Sequence, residues 1–174
     1  MRKKLFYSVF FILFLSFRSF AQIEIAKLIG KNSDKYSIGF GASLNFGYQI
    51  STASSVSAEA GFLAFFVKEN KSDGLALIPF KLGYRYTFGE TGYGFFIQPQ
   101  AGYNFFGANS YNGEWPYKGP VSAIGVGYLF ETGDWLKPEI SIRYESVWYE
   151  GGPASFIALR FAQSLMFGRK ESDY

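Results

Sequence analysis

The sequence predicts an all-β protein: an eight-stranded, antiparallel, up-and-down β-barrel that crosses a membrane, preceded by a cleavable signal peptide. Three observations lead to this fold class. Apolar and polar residues alternate with a period of two over most of the chain, which is typical of strands and not of helices. Short turns alternate with longer connections between these segments. The chain begins with a basic and then an apolar stretch of the kind that directs export.

Residues 1–21 are predicted to be a secretory signal peptide. Three basic residues at positions 2–4 form its beginning, and an apolar run follows over residues 5–17. Ser19-Phe20-Ala21 places small residues at the two positions that precede a cleavage site, so the mature chain is predicted to begin at Gln22. A transmembrane helix is the weaker interpretation, because this apolar run is shorter than the roughly 20 residues that cross a bilayer.

Eight alternating segments follow in the predicted mature chain. Seven of them carry apolar residues at every second position, with polar or small residues between. The first segment, residues 22–30, is weaker. It carries Ile23, Ile25 and Ile29 on one face, and the even strand number of a closed membrane barrel requires it. The other segments lie at residues 36–50, 56–66, 78–88, 93–105, 124–130, 140–148 and 157–167.

The lengths of the connections indicate which strand ends lie together. Tight turns are predicted at residues 51–54, 89–92 and 132–135, and the other connections at residues 31–35, 69–74, 108–119 and 150–153. With eight strands, both termini then lie at the end of the barrel that carries the tight turns. Outer-membrane barrels share this arrangement, with short periplasmic turns and longer outer loops.

The direction of the apolar faces separates two kinds of barrel. A soluble, lipocalin-like barrel turns its apolar face inward around a ligand, whereas a membrane barrel turns it toward lipid. The apolar faces carry too many bulky residues for an eight-stranded interior, so we expect them to face lipid. Two aromatic girdles are predicted, at the turn end and at the loop end respectively: Tyr48, Tyr86, Phe88, Tyr93, Phe130, Trp135 and Phe167, and Tyr36, Phe66, Tyr103, Phe105 and Trp148.

Charged residues on the polar faces are then predicted to lie in the barrel interior, the lumen. Opposite charges in nearly equal number predict a paired network that fills a narrow lumen, in place of a water-filled channel. The predicted network consists of Glu24, Glu59, Lys81, Arg85, Glu139, Arg143, Glu145 and Arg160. Two of the carboxylates could instead form an acid–base pair, as in glycoside hydrolysis, but the abundant cationic neighbours favour the structural interpretation.

A few residues conflict with the simple alternating pattern. Lys27 falls on the lipid face of the first strand, where a charge costs about 2–4 kcal/mol at the bilayer midplane and less near an interface. We therefore expect a bulge near Ala26 or a position at the barrel rim. Pro79 and Pro99 lie inside strands, where each removes a ladder hydrogen bond, and Gln163 interrupts the apolar face of the last strand.

The chain resembles the small eight-stranded outer-membrane barrels of the OmpA/OmpX-like group, the outer membrane protein beta-barrel domain family. The export signal ending at Ala21, the eight alternating segments and a last strand ending Leu165-Met166-Phe167 carry the resemblance. It implies a barrel over residues 22–168 in the cell outer membrane, in contact with outer-membrane lipid. It also implies insertion by machinery that reads an aromatic residue near the end of the last strand. Residues 169–174 would form a short periplasmic tail.

The composition excludes several kinds of active site. The sequence contains no His and no Cys, which excludes a Ser-His-Asp triad, a thiolate nucleophile and the usual imidazole or thiolate metal ligands. We therefore expect no catalytic residue, no cofactor and no metal site. The formal charge of +3 does not predict a nucleic-acid partner, because removal of the signal peptide lowers the 17 basic residues by four, to 13 against 14 acidic residues.

The longest predicted outer connection is a candidate surface for an extracellular partner. It contains Tyr111, Trp115 and Tyr117, and aromatic residues on exposed loops are common in binding surfaces. The same rings could instead rest on the barrel rim or among lipid headgroups.

The predicted function is non-enzymatic: envelope integrity, adhesion or partner binding through the outer loops. Two alternatives stay open at this point. One is a soluble, secreted, lipocalin-like barrel that binds a ligand, and the other is an outer-membrane lipid-modifying hydrolase that works without His.

Overall fold

The structure is a computed structural model that describes residues 18–30, 33–68, 74–89, 91–109, 118–132, 136–150 and 152–165. Each strand pairs antiparallel with the next in chain order, and β8 pairs with β1, so the sheet closes into a barrel. The predicted eight-stranded, up-and-down barrel is confirmed. The strands are β1 Arg18–Ile29, β2 Tyr36–Gln49, β3 Ser54–Val67, β4 Gly74–Phe88, β5 Gly94–Asn109, β6 Gly119–Leu129, β7 Leu136–Tyr149 and β8 Gly152–Leu165. Within these ranges, no helix is long and apolar enough to span a membrane.

The first strand begins earlier than the alternating pattern predicts. Strand β1 pairs with β2 from Arg18 and with β8 from Ser19, so it includes the last residues of the predicted signal peptide. Residues 1–17 lie outside the described residues. Cleavage after Ala21 stays a prediction, and it would leave Gln22–Ile29 to close the barrel between β2 and β8.

The outward face of the barrel is apolar. Five large apolar side chains on four different strands are 52–66% exposed: Ile23, Phe40, Leu44, Leu82 and Phe95. A water-facing surface of this kind would be a severe aggregation hazard, whereas lipid solvates it. The direction of the faces therefore contradicts the soluble, lipocalin-like alternative.

Aromatic side chains gather near both ends of this wall. Tyr93 is half-buried at the turn end, with the Lys137 ammonium 4.3 Å above the centre of its ring. Trp135 and Phe167 of the predicted turn-end girdle lie outside the described residues. The following members of the predicted girdles are exposed: Tyr48, Tyr86, Phe88 and Phe130 at the turn end, and Phe66, Tyr103, Phe105 and Trp148 at the loop end.

A β-bulge near the beginning of β2 overturns one expectation. One extra residue between Tyr36 and Gly39 shifts the register against β3, and both of these residues turn toward the lumen. Tyr36 is only 5% exposed, so the prediction that it belongs to the outer girdle is wrong. The physical reason is that a bulge reverses the alternation of faces, and a period of two read from sequence cannot register it.

A second bulge accommodates a proline. The register of β4 against β5 shifts between Ile78 and Pro79, and on β5 both Phe105 and Phe106 point outward. Pro79 thus lies where the hydrogen-bond ladder is already interrupted, which is where prolines are tolerated in sheets.

Lys27 points outward, as the pattern predicts. The register between β1 and β2 continues without a break through Ala26, so no bulge relieves the conflict. Lys27 lies two residues before the end of β1, at the loop end. The rim position was the second predicted solution, and a charge there costs about 0–1 kcal/mol.

The interior has two layers of opposite character. The turn-side half contains charged and polar side chains, as predicted, but the loop-side half is mainly apolar, with the buried Asn104 as a polar exception, which the sequence pattern did not predict. The rings of Phe65 and Phe156 meet there edge to face, with centroids 5.5 Å apart. We call the following residues the apolar layer: Ala26, Leu28, Tyr36, Leu63, Phe65, Leu75, Leu77, Val121, Val147, Ala154, Phe156 and Ala158.

Gly39 makes room for the apolar layer. A Cβ atom at this position would lie 2.5 Å from Cδ1 of Phe65 and 2.7 Å from the backbone oxygen of Ala64. Gly47 lies on the same strand and also faces the lumen, but its Cβ would meet nothing nearer than the Val56 oxygen at 3.8 Å. The two glycines therefore form a matched pair for substitution.

We expect Gly39→Ala to lower the free energy of unfolding by about 1–3 kcal/mol, because the added methyl group overpacks a filled interior. Gly47→Ala should change it little. Urea titration of the refolded protein in detergent, scored by the heat-modifiable shift in gel mobility, measures both. Equal unfolding midpoints for the two variants would contradict this account of the interior.

Candidate functional site: the charge network in the lumen

The eight charged residues singled out from the sequence come from five strands, and the structure brings all of them into the lumen. None is more than 8% exposed. They form a larger cluster around Glu59 and a smaller one around Arg85, nearer the turn end. We call the eight together the lumen charge network: Glu24 on β1, Glu59 on β3, Lys81 and Arg85 on β4, Glu139, Arg143 and Glu145 on β7, and Arg160 on β8.

Glu59 is the centre of the larger cluster. Its Oε1 accepts a hydrogen bond from Nη1 of Arg143 at 2.7 Å and lies 3.1 Å from Nζ of Lys81. Its Oε2 accepts from Nη2 of Arg160 at 2.9 Å and from the amide of Gln100 at 3.0 Å. A single buried carboxylate therefore contacts three cations.

Arg143 and Lys81 connect Glu59 to two further carboxylates. Nη2 of Arg143 donates to Glu24 at 2.7 Å, and its Nε lies 3.1 Å from Oε2 of Glu145. Nζ of Lys81 donates to the same oxygen of Glu145 at 2.6 Å. Since β3 and β4 lie across the barrel from β7, these contacts span the lumen. With Arg160 included, three acidic and three basic side chains balance in charge.

The smaller cluster is built on a forked contact between Arg85 and Glu139. Nη1 and Nη2 of Arg85 donate to the two carboxylate oxygens at 2.7 and 3.2 Å. Oε1 of Gln98 accepts from the same guanidinium at 2.7 Å, and the ring of Phe96 lies 4.1 Å from its central carbon. A cavity of about 50 Å³ adjoins Arg85 at the turn end, which is room for water and not for an organic substrate.

Sequence reasoning missed the amides that complete the network. Gln98 and Gln100 hold Arg85 and Glu59, and Oε1 of Gln22 accepts a hydrogen bond from Ser43 at 2.9 Å. The signal was available, because these residues alternate on the same faces as the charged ones. Only the charges were singled out, although a buried charge needs further hydrogen bonds beyond its counter-ion.

Burial makes the members of the network depend on one another. Removing a charged side chain from water is costly, and the cost is recovered only where opposite charges and hydrogen bonds surround it. Each of the four carboxylates contacts at least one guanidinium or ammonium group. Across the described part of the chain, no group of three or more His, Cys, Asp or Glu residues could hold a metal ion. The arrangement is therefore suited to filling and stiffening the barrel.

The other predicted site cannot be placed. Tyr111, Trp115 and Tyr117 lie outside the described residues, so the proposed partner surface stays a prediction. The described residues on either side of this connection are Asn109, which ends β5, and the exposed Lys118.

We expect Glu59→Ala to destabilise the barrel by about 3–5 kcal/mol, because three buried cations lose their shared counter-ion. Glu131→Ala is the matched control, since Glu131 is exposed beyond the end of β6. Urea unfolding midpoints of both variants in the same detergent measure the difference. Similar midpoints would show that the network does not support the fold.

The smaller cluster allows a test of pairing itself. Arg85→Met and Glu139→Leu should each destabilise the barrel, because each leaves one charge buried without its main partner. The double variant should lose less than the sum of the two, since no uncompensated charge remains. A double-mutant cycle on the free energy of unfolding measures this coupling, and simple additivity would contradict it.

No family model and no curated protein matches the chain. Solved structures do match. Neisserial surface protein A is 13% identical with a TM-score of 0.69, over 87% of this chain and 97% of that one. Ail of Yersinia pestis, in complex with the heparin analogue sucrose octasulfate, is 13% identical with a TM-score of 0.55, over 86% and 99%. The N-terminal β-barrel domain of Pseudomonas aeruginosa OprF is 13% identical with a TM-score of 0.50, over 85% and 97%.

These similarities show the fold. The chain has the architecture of the small eight-stranded outer-membrane barrels, and the resemblance inferred from the alternating segments is confirmed. The outward apolar wall is the surface that such a barrel presents to lipid. The fold and this wall together place the protein in the cell outer membrane.

Proposed function

We propose that this protein is a non-enzymatic, non-conducting barrel that contributes to envelope integrity and binds partners through its outer connections. The observation that carries the proposal is the filled lumen. The lumen charge network occupies the turn-side half of the interior, and the apolar layer occupies the loop-side half. A barrel filled in this way supports stability and display in preference to transport.

The apolar layer supports the non-conducting part of the proposal. Leu63, Phe65, Leu77, Val147 and Phe156 are each at most 2% exposed and project into the loop-side lumen from four strands. An ion that entered from the turn side would first pass the lumen charge network. It would then have to cross the apolar layer without water to solvate it. The cost of such a transfer is many kcal/mol.

Bilayer recording tests this proposal directly. We expect the refolded protein, inserted in planar bilayers at neutral pH, to show no stepwise conductance, while a porin recorded in the same bilayers does. A strain that lacks the protein should become more sensitive to detergents, and a plasmid copy should restore resistance. Reproducible single-channel steps, or an unchanged barrier in the deleted strain, would contradict the proposal.

The hydrolase alternative would have to use a carboxylate of the lumen charge network. Oε1 of Glu145 lacks a hydrogen-bond partner among the residues that the structure describes, but this side chain is fully buried, which favours the non-enzymatic proposal. Incubation of the folded protein with radiolabelled outer-membrane lipids decides the matter. Lipid turnover that Glu145→Gln abolishes, without loss of the barrel, would replace the non-enzymatic proposal.

Partner binding is proposed for the connection between β5 and β6. Its aromatic residues are of the type enriched in binding hot spots, and the similar Ail structure contains a heparin analogue. A polyanion that bound by charge alone would require a strongly positive surface, and the sequence of this connection is not strongly positive. We therefore propose that its partner binds through contacts with the aromatic residues.

We expect Trp115→Ala to reduce adherence of cells that display the protein to immobilised matrix proteins, by about tenfold or more, as loss of a hot-spot residue does. The heat-modifiable gel shift should not change, because Trp115 belongs to neither β5 nor β6. Undiminished adherence by the variant, at equal surface display, would rule out this surface.

A further inference from the structure

The apolar outer wall is interrupted by polar side chains near the loop ends of β6, β7 and β8. Ser122 lies opposite Ser146, and Ser146 lies opposite Ser155, so three serines form a row across three adjacent strands. Tyr144 and Trp148 flank this row on β7 and point outward with it. Hydroxyl groups are unusual on a lipid-facing wall, because hydrocarbon offers them no hydrogen bond.

Hydrogen bonds join these side chains into one polar surface. The hydroxyls of Ser146 and Ser155 are 2.7 Å apart, and the Tyr144 hydroxyl lies 3.1 and 3.2 Å from them. The indole Nε1 of Trp148 donates to Ser122 at 3.3 Å. Because Ser122 accepts this bond, its own O–H is left to donate outward to a bound group.

A cation lies beside the row. Lys27 on β1 is opposite Ile157 of β8, and Tyr144 is opposite the same residue from the other side. Of the outward-facing strand residues whose side chains the structure describes, Lys27 is the one that carries a charge. It has no ion-pair partner among those residues. At this rim position the ammonium group stays charged at little cost, and in the absence of a protein counter-ion it is available to an anion from outside the chain.

We propose that Lys27, Ser122, Tyr144, Trp148 and Ser155 form a binding site for the headgroup of a phosphorylated glycolipid of the outer leaflet. We call these five residues the outer headgroup site, and the buried Ser146 beneath them holds Tyr144 and Ser155 in place. Lys27 binds a phosphate, the hydroxyls bind sugar hydroxyls beside it, and the ring of Trp148, whose N–H is already donated to Ser122, packs against the sugar. The proposal does not depend on whether the lumen conducts.

Position and width favour this occupant. The site lies at the loop end, which is the outer side in barrels whose short turns are periplasmic. Neighbouring strands are about 4.8 Å apart, so the span from β1 to β6 is roughly 14 Å. A sugar headgroup with its phosphate can cover that distance, whereas one phosphodiester bound to Lys27 can reach Ser155 on the neighbouring β8 but not Ser122 on β6.

The opposite end of the barrel offers a contrast. Ser54 and Tyr84 also point outward there and share a hydrogen bond of 2.8 Å. This pair is isolated, and no charged side chain among the described residues faces outward beside it. Polar groups hydrogen-bond each other at both ends of the barrel, and the feature that distinguishes the loop end is the uncompensated cation beside them.

Native mass spectrometry of the detergent-folded full-length protein tests the proposal. The probes are lipid A with two phosphates, the same lipid A enzymatically dephosphorylated, and phosphatidylglycerol. We expect the protein to bind one molecule of phosphorylated lipid A and to bind both other probes more weakly. Lys27→Met should weaken binding of phosphorylated lipid A about five- to tenfold, since one membrane-surface cation contributes about that factor.

Two further variants make the outcome specific. Lys27→Arg should retain binding, and Lys68→Met, which removes an exposed cation beyond the end of β3, should not affect it. Lys27→Met keeps an apolar side chain on the wall, so its gel shift should be normal. Equal binding by Lys27→Met and wild type, equal loss in Lys68→Met, or equal affinity for phosphatidylglycerol would each overturn the proposal.

Discussion

A charged side chain that points into the lumen of an eight-stranded barrel must find its counter-ion within the lumen, and the rest of this structure depends on that constraint. The lumen is too narrow for bulk water, so the side chains themselves must neutralise and hydrogen-bond each other. Glu59 meets the constraint with three cations and Gln100. Because those cations stand on β4, β7 and β8, the ion pairs act as struts across the barrel.

The two halves of the interior solve the filling problem differently. The turn-side half uses paired ions, and the loop-side half uses Phe65, Phe156 and their apolar neighbours. Each half needs its own supporting detail. Gln98 and Gln100 complete the polar half, while Gly39 opens space for Phe65 in the other. The outer wall is also divided into polar and apolar parts: most of it is an apolar band, and the outer headgroup site lies at its loop end.

Alternation of residues predicted much of this arrangement, because in a strand the position of a residue decides its face. The inward direction of Glu59 and Arg143, the outward direction of Lys27, and the strand number all follow from it. Tyr36 was assigned to the wrong face because a bulge, which leaves no mark in the sequence pattern, reverses the alternation. The identity of the ion pairs and the row of Ser122, Ser146 and Ser155 were also out of reach. Both depend on the register between strands, which alternation alone does not determine.

The contacts of Arg160 also bear on how the barrel assembles. Arg160 stands on the last strand, while its partners Glu24 and Glu59 stand on the first and third. These contacts can form only when β1 pairs with β8. Closure of the barrel and neutralisation of Arg160 therefore occur in the same step. An inserting chain with an open seam would carry an unmatched guanidinium and unpaired strand edges together. The final step of insertion, the pairing of β1 with β8, is therefore accompanied by a large decrease in free energy. Barrels in which these two strands are unpaired should be scarce among assembly intermediates.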